Sequence, residues 1–164
     1  MEYLCAPWRS EYFSSKKCEC PFCDAINSPE FDEKNGVLFR AKHCFGIMNL
    51  YPYSPGAFMV IPYKHTDKIE ELSQEGWLEM SHFVRCGVEI LKKRVHARGV
   101  NIGMNLGSAA GAGIAQHVHY HLVPRWEGDT NFITTISATR VIGVPFYELY
   151  TNIKKGFDEL NLEF

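Results

Sequence analysis

Apolar and polar positions change period several times along this chain, and each change marks an element. Gly36 to Ala41 and Phe45 to Leu50 read as two strands joined by a tight turn, and Ala57 to Ile61 as a third strand ended by Pro62. The prolines and glycine of Tyr51-Pro52-Tyr53-Ser54-Pro55-Gly56 make the intervening segment a loop. Asp67 to Leu72 suggests one or two helical turns. Then Trp77, Met80, Val84, Val88, Leu91 and Val95 repeat at three and four, which predicts a long amphipathic helix from the N-cap Ser73 to about Arg98. Lys92, Lys93 and Arg94 suit the C-terminal end of its dipole, and Gly99 can close it. Val100 to Leu106 reads as a fourth strand, and a glycine-rich loop leads from it into a further strand around residues 116–124.

The two ends are less regular. Residues 1–35 read as irregular, with Trp8 and Tyr12 as anchors and Ser28-Pro29-Glu30 as a possible helix start. Tyr147 to Glu159 reads as a last helix, weakened by Gly156. Strands outnumber helices and their connections are hairpin-length. The expected class is α+β: an antiparallel sheet of about five strands flanked by one long helix and one or more short ones. At 164 residues the chain is most simply a single domain, 1–164.

Composition narrows the function classes. A net charge of −2 supplies no general pull toward nucleic acid or a membrane surface. No apolar stretch approaches membrane-spanning length and the first residues resemble no secretory signal, so the cytoplasm is the expected compartment. The six cysteines are not spread as a disulfide framework. Three cluster in Cys18-Glu19-Cys20-Pro21-Phe22-Cys23, where the two-residue gap between Cys20 and Cys23 forms half of a tetrahedral zinc knuckle. A redox pair or plain free thiols are the alternatives. Cys86 lies in the helical pattern as a small core hydrophobe.

The densest chemistry lies in Gln116-His117-Val118-His119-Tyr120-His121-Leu122-Val123-Pro124, which holds three of the seven histidines two residues apart. That is strand spacing, so three imidazoles share one face while Val118, Tyr120 and Leu122 occupy the other. Burial of the strand accounts for the apolar face, and folding alone does not call for histidine opposite it. Imidazole serves near neutral pH as nucleophile, acid or ligand, and a His-x-His metal site on a strand is the main competing reading. The preceding loop contributes Gly107, Gly111 and Gly113, which let backbone N–H groups approach phosphate oxygens. Asn105, Ser108 and Gln116 add neutral donors. His43, His82 and His96 read as surface residues, and Trp126 and Phe45 as core aromatics.

His117-Val118-His119-Tyr120-His121-Leu122-Val123 matches the signature His-φ-His-φ-His-φ-φ, where φ is apolar, and the chain resembles the histidine triad (HIT) family. Asn49 to His65 is similar to that family's nucleoside-binding segment. Ala6-Pro7-Trp8-Arg9, Cys20-Pro21-Phe22-Cys23, Gly111-Ala112-Gly113-Ile114 and Arg125 to Phe132 resemble a prokaryotic branch containing diadenosine tetraphosphate phosphorylases and related nucleotide hydrolases. The similarity covers most of residues 3–132. It makes 1–35 a zinc-knuckle region and 133–164 a C-terminal extension.

The resemblance implies a nucleotide-processing enzyme that cleaves dinucleoside polyphosphates at the α-phosphate through a covalent nucleotidyl-histidine, resolved by phosphate or water. His119 is implied as nucleophile, His121 as partner of a phosphate oxygen or leaving group, Asn49 as the ribose contact and Asn105 as the phosphate-side donor. On the residues alone, Asn49 and Asn105 read equally well as turn-capping residues. His65 and His117 are implied as the imidazoles completing a structural zinc site with Cys20 and Cys23, and Cys18 could replace one of them. No organic cofactor is expected, and a homodimer is, through the main helix and an edge strand. Ala57 replaces a histidine common among relatives and is read as a packing position. The Gly-Ala-Gly-Ile run, where hydrolase branches usually place a glutamine, favours the phosphorylase-like branch. The alternatives are a hydrolase of nucleoside phosphoramidates or aminoacyl-adenylates, a nucleotide-binding regulatory module with weak turnover, and a metal-dependent enzyme using the triad as ligands.

Overall fold

A computed structural model describes residues 20–52, 54–129 and 143–160. Trp8, Tyr12, Cys18 and the segments Ala6–Arg9 and Thr130–Phe132 lie outside the described residues. Five strands form one antiparallel sheet in the order β1-β2-β3-β5-β4: β1 Val37–Arg40, β2 Cys44–Met48, β3 Phe58–Pro62, β4 Gly99–Gly103 and β5 Tyr120–Arg125. The α+β class and the number of strands expected from the sequence are those observed.

Directly paired residues of an antiparallel ladder share a face, which fixes what each face carries. Val37, Ile47, Met59 and His121 are aligned across four strands by the pairings Val37↔Ile47, Ile47↔Met59 and Met59↔His121. This face is covered by a small cluster containing Cys20, Phe22, Ala25, Phe45 and Ile61. The opposite face carries the main core, in which Leu38, Met48, Phe58, Val60 and Leu122 pack against two helices.

Those helices are α3, Gln74–Arg94, and α4, Phe146–Asp158. Ser73 caps α3 as its sequence suggests, its Oγ accepting from the Gly76 N–H at 3.1 Å. The buried stripe runs through Met80, Phe83, Val84, Gly87, Ile90 and Leu91, rotated from the expected one, so that Trp77, Val88 and Val95 lie at its half-buried margin. The helix stops at Arg94, short of Arg98. His96 takes the left-handed conformation at φ 55°, and the Ala97 N–H returns to the Leu91 carbonyl. Gly99, the expected closing residue, instead opens β4. His96 is exposed, while His43 and His82 are half-buried rather than free surface residues.

Gly156 does not break α4. A Cβ there would lie 2.7 Å from Ile90 Cγ2, so the glycine is where the two helices cross. Gly87 plays the same part between α3 and the sheet, where a Cβ would lie 2.5 Å from Phe58 Cζ and 2.9 Å from Leu122 Cδ2. In Gly87→Ala, a gain of about 1 kcal/mol in helix propensity opposes overpacking of about 1–3 kcal/mol. Both neighbours are core side chains that cannot withdraw, so a net loss of about 1–2 kcal/mol is expected. It should lower the midpoint of urea unfolding at unchanged slope.

Residues 20–35 are helical rather than irregular. α1 spans Pro21–Asn27 and α2 Asp32–Asn35, with a 3-10 turn at Pro29–Phe31 between them, where Ser28-Pro29-Glu30 suggested a start. Arg40 ties this region to β1: its Nη2 donates to Asp32 Oδ1 at 2.7 Å and to the Ala25 carbonyl at 2.6 Å.

Candidate active site and metal centre

Of the three histidines only His121 lies within a strand, β5. Continuing the β3–β5 register would set Val118 opposite Pro62, whose carbonyl lies 2.9 Å from His117 Nε2. The Val118 N–H donates instead to the Thr66 carbonyl at 2.8 Å. The chain therefore leaves the ladder before Tyr120, where both His117 and His119 are buried. His117 is fully buried, His119 is 5% exposed and His121 is half-buried.

His117 faces two ways. Its Nε2 is 2.9 Å from the Pro62 carbonyl, which can only accept, so the proton sits on Nε2 and Nδ1 keeps its lone pair. Nδ1 lies 3.4 Å from Cys20 Sγ and 3.8 Å from Cys23 Sγ, and His65 Nδ1 lies 3.2 Å from Cys23 Sγ. The four ligand atoms all lie within 4.8 Å of one another. A tetrahedral ion with metal–sulfur and metal–nitrogen bonds of about 2.3 and 2.0 Å spaces its ligands by roughly 3.3–3.8 Å. The 3.4, 3.8 and 3.2 Å separations lie near that spacing, and the Pro62 carbonyl fixes one imidazole from behind, as outer partners of metal ligands do. Cys20, Cys23, His65 and His117 are thus brought together as a group that could hold a metal ion. Burial holds the His117 imidazole down to about 4, so it stays neutral, and burial with Cys20 alongside raises the Cys23 thiol to about 11. A cation bound here would favour the Cys23 thiolate.

His119 is oriented by the main chain. Its Nδ1 donates to the carbonyl of His117 at 2.8 Å, which leaves the Nε2 lone pair directed away. Burial lowers its pKa, so the ring is neutral near pH 7. The Phe22 ring meets it edge-on at 5.0 Å between centroids, and the His121 ring at 4.6 Å. A neutral imidazole held as a single tautomer, with a second imidazole beside it, can attack phosphorus and pass a proton to what leaves.

The other expected residues are placed less tightly. Asn49 follows β2 on the histidine face, its N–H donating to the Ala57 carbonyl, while Oδ1 accepts from the Tyr51 N–H at 2.9 Å. That bond is the turn-capping arrangement. Asn105 is exposed two residues beyond Gly103, the end of β4, which pairs with His121. Ser108 opens a 3-10 turn, Ser108–Ala110, and the Gly111 N–H donates to the Ser108 carbonyl at 3.0 Å. Gly111 takes φ 86°, so it gives the turn its shape and its amide is engaged within it. Gly113 and Gln116 are exposed between this turn and the triad. Phe45 is buried and stacks on Tyr63 at 5.7 Å. Two participants escaped the sequence reading, Phe22 and the Pro62 carbonyl; that a backbone carbonyl would hold the His119 N–H was expected, but not that it is the carbonyl of His117. Only Phe22 carried a sequence signal, as the apolar residue between the two thiols.

Comparison with known proteins places this geometry. The HIT domain matches residues 30–128. A protein described as AP-4-A phosphorylase from Mycobacterium tuberculosis is 38% identical over 87% of this chain and 72% of its own length. A bis(5'-nucleosyl)-tetraphosphatase (asymmetrical) from Schizosaccharomyces pombe is 30% identical over 61% of this chain and 54% of its own. Among solved structures, a zinc-bound histidine triad family protein from Mycobacterium smegmatis superposes with a TM-score of 0.69 at 25% identity. The match covers 85% of this chain and 94% of the other. With the family's domain spanning the sheet and the triad, the chain belongs to the histidine triad (HIT) family.

Proposed function

We propose that this protein cleaves dinucleoside polyphosphates at the α-phosphorus by nucleotidyl transfer through His119. The observation that carries the reading is the hydrogen bond from His119 Nδ1 to the His117 carbonyl. It commits Nε2 to the unprotonated form that an attacking nitrogen needs. A bond forms between Nε2 and the α-phosphorus, and the bond from that phosphorus to its bridging oxygen breaks. For a tetraphosphate substrate the leaving group is a nucleoside triphosphate. His121 donates a proton or hydrogen bond as charge builds on the departing or equatorial oxygens. Inorganic phosphate then attacks the same phosphorus, releasing His119 and a nucleoside diphosphate. Water in its place would give the monophosphate.

Asn49 stands on the histidine face two strands from His121, about 10 Å across the sheet, which suits a ribose contact. Asn105, Ser108, Gly113 and Gln116 supply the phosphate side, and Gly111 shapes their turn. The thiol–imidazole cluster would hold zinc, which supplies structural fixation of α1 to the histidine segment. The long relative named as a phosphorylase favours phosphate over water as acceptor. The same reading carries a homodimer, since β4 is an edge strand with Ile102 exposed and α3 exposes Leu78. No described helix is long and apolar enough to cross a membrane.

Incubation with diadenosine tetraphosphate tests the reading. Phosphate is expected to raise turnover about tenfold or more and to yield ATP with ADP. AMP with ATP at equal rates in phosphate-free buffer would make the enzyme a hydrolase. Tight binding with no product in either buffer would make it a binding module.

A further inference from the structure

One hydrogen bond fixes the donor axis of the His119 ring, but the ring can still tilt about it. The flanks of the ring decide whether Nε2 has one direction. The His121 ring lies against the His119 ring, at 4.6 Å and 70°. Phe22 also lies against it, at 5.0 Å and 64°, and its ring meets His117 at 5.5 Å. Phe22 is 3% exposed and lies in the small cluster on the histidine face.

α1, which carries Phe22, has seven residues, too few to hold a helix by backbone hydrogen bonding. Its N-cap is Cys20, its first residue Pro21 and its third Cys23, so Phe22 is bracketed by the two thiols. The cluster that seats those thiols includes His117, whose own carbonyl receives the His119 proton. The Phe22 ring and the His117 carbonyl therefore reach one imidazole from one anchored group.

We propose that Phe22 is a positioning residue for His119: seated by the thiol–imidazole cluster, its ring edge restricts the imidazole to the tilt that directs Nε2 at the substrate. This rests on the assignment of His119 as nucleophile. It assigns to Phe22 neither nucleotide contact nor a merely structural role.

The test compares Phe22→Leu with Ile26→Ala, which loosens the same short helix and the same cluster without removing the ring. Two readouts are taken on the metal-loaded protein. Long-range nitrogen–proton spectra of ¹⁵N-histidine protein, recorded without substrate, report the His119 tautomer. Single-turnover trapping with diadenosine tetraphosphate reports the rate of nucleotidyl transfer. In Phe22→Leu the freed ring is expected to tilt off the His117 carbonyl, so that the single Nδ1–H tautomer gives way to an averaged signal. Nucleotidyl transfer should slow about 10- to 100-fold, the scale of a misdirected reacting atom, with KM within about twofold of the parent. Ile26→Ala should keep the tautomer and most of the rate, and Phe22→Tyr, which keeps the aromatic edge, should restore both. Phe22→Met replaces Phe22→Leu if the latter does not fold. An equal loss in Ile26→Ala, a raised KM at unchanged kcat, or an unaltered tautomer in Phe22→Leu would overturn the proposal. If His119→Asn kept full turnover, the nucleophile assignment would fail instead, and the substrate-free spectra would still decide whether Phe22 fixes the ring.

Discussion

Replacing His119 with asparagine is expected to abolish the trapped nucleotidyl-enzyme and to lower turnover at least about 10³-fold. Asparagine can place an amide N–H near the position of Nδ1 and so keep the hydrogen bond to the His117 carbonyl, while nothing remains at the position of Nε2. Because His119 is buried by its neighbours and carries no charge near neutral pH, the exchange leaves no ion unpaired. The melting temperature should move by only a few degrees. His121→Asn separates the two imidazoles. It should slow turnover about 10²- to 10⁴-fold, as loss of an acid does, yet still accumulate adduct from a substrate whose leaving group needs no proton. The measurement is acid-quenched capture of labelled nucleotide on each variant. Full turnover in His119→Asn would remove the covalent route.

The split between these imidazoles shows what the sequence could and could not convey. Two-residue spacing placed all three on one face, and the pairing Met59↔His121 fixes that face for His121. It could not show that the ladder stops below Tyr120, because there the Val118 N–H pairs with the Thr66 carbonyl, far back along the chain. Nor could spacing reveal that one carbonyl, that of His117, would choose the tautomer of His119. The short helix α1 was missed for another reason. Seven residues hold too few apolar positions to define a period, although Pro21 at the first helical position was a readable start signal. The long helix was legible from Ser73 because its cap is local. Its end was not, since His96 in the left-handed conformation is a choice made by the turn into β4. Cys20 and Cys23 were legible as a pair from spacing. Their imidazole partners were not, and came only from family resemblance, because His65 and His117 are joined to them by contacts spanning 42 and 97 residues.

Loss of the bound metal is expected to be the largest single change in stability. An ion that binds only the folded chain, present at about a thousand times its dissociation constant, adds about 4 kcal/mol. For a chain of 164 residues, at about 2–4 °C per kcal/mol, that is about 8–16 °C in melting temperature. The cluster closes a loop between residues 20 and 117 and fastens a helix too short to persist alone. Cys20→Ser isolates the effect: serine is a good N-cap, so the start of α1 survives, while the harder oxygen is a poor substitute for a thiolate. The variant should lose tight zinc and melt at the temperature of the chelated parent, and added zinc should restore the parent but not the variant. Cys86→Ser is the control, since Cys86 lies on α3 beside His82, outside the cluster. It should keep its zinc and its zinc-dependent shift. A parent protein that binds no zinc, or whose melting is the same with zinc and with chelator, would show that these four side chains stand together without a metal. The thiols would then be the redox pair or free cysteines that their spacing equally allows.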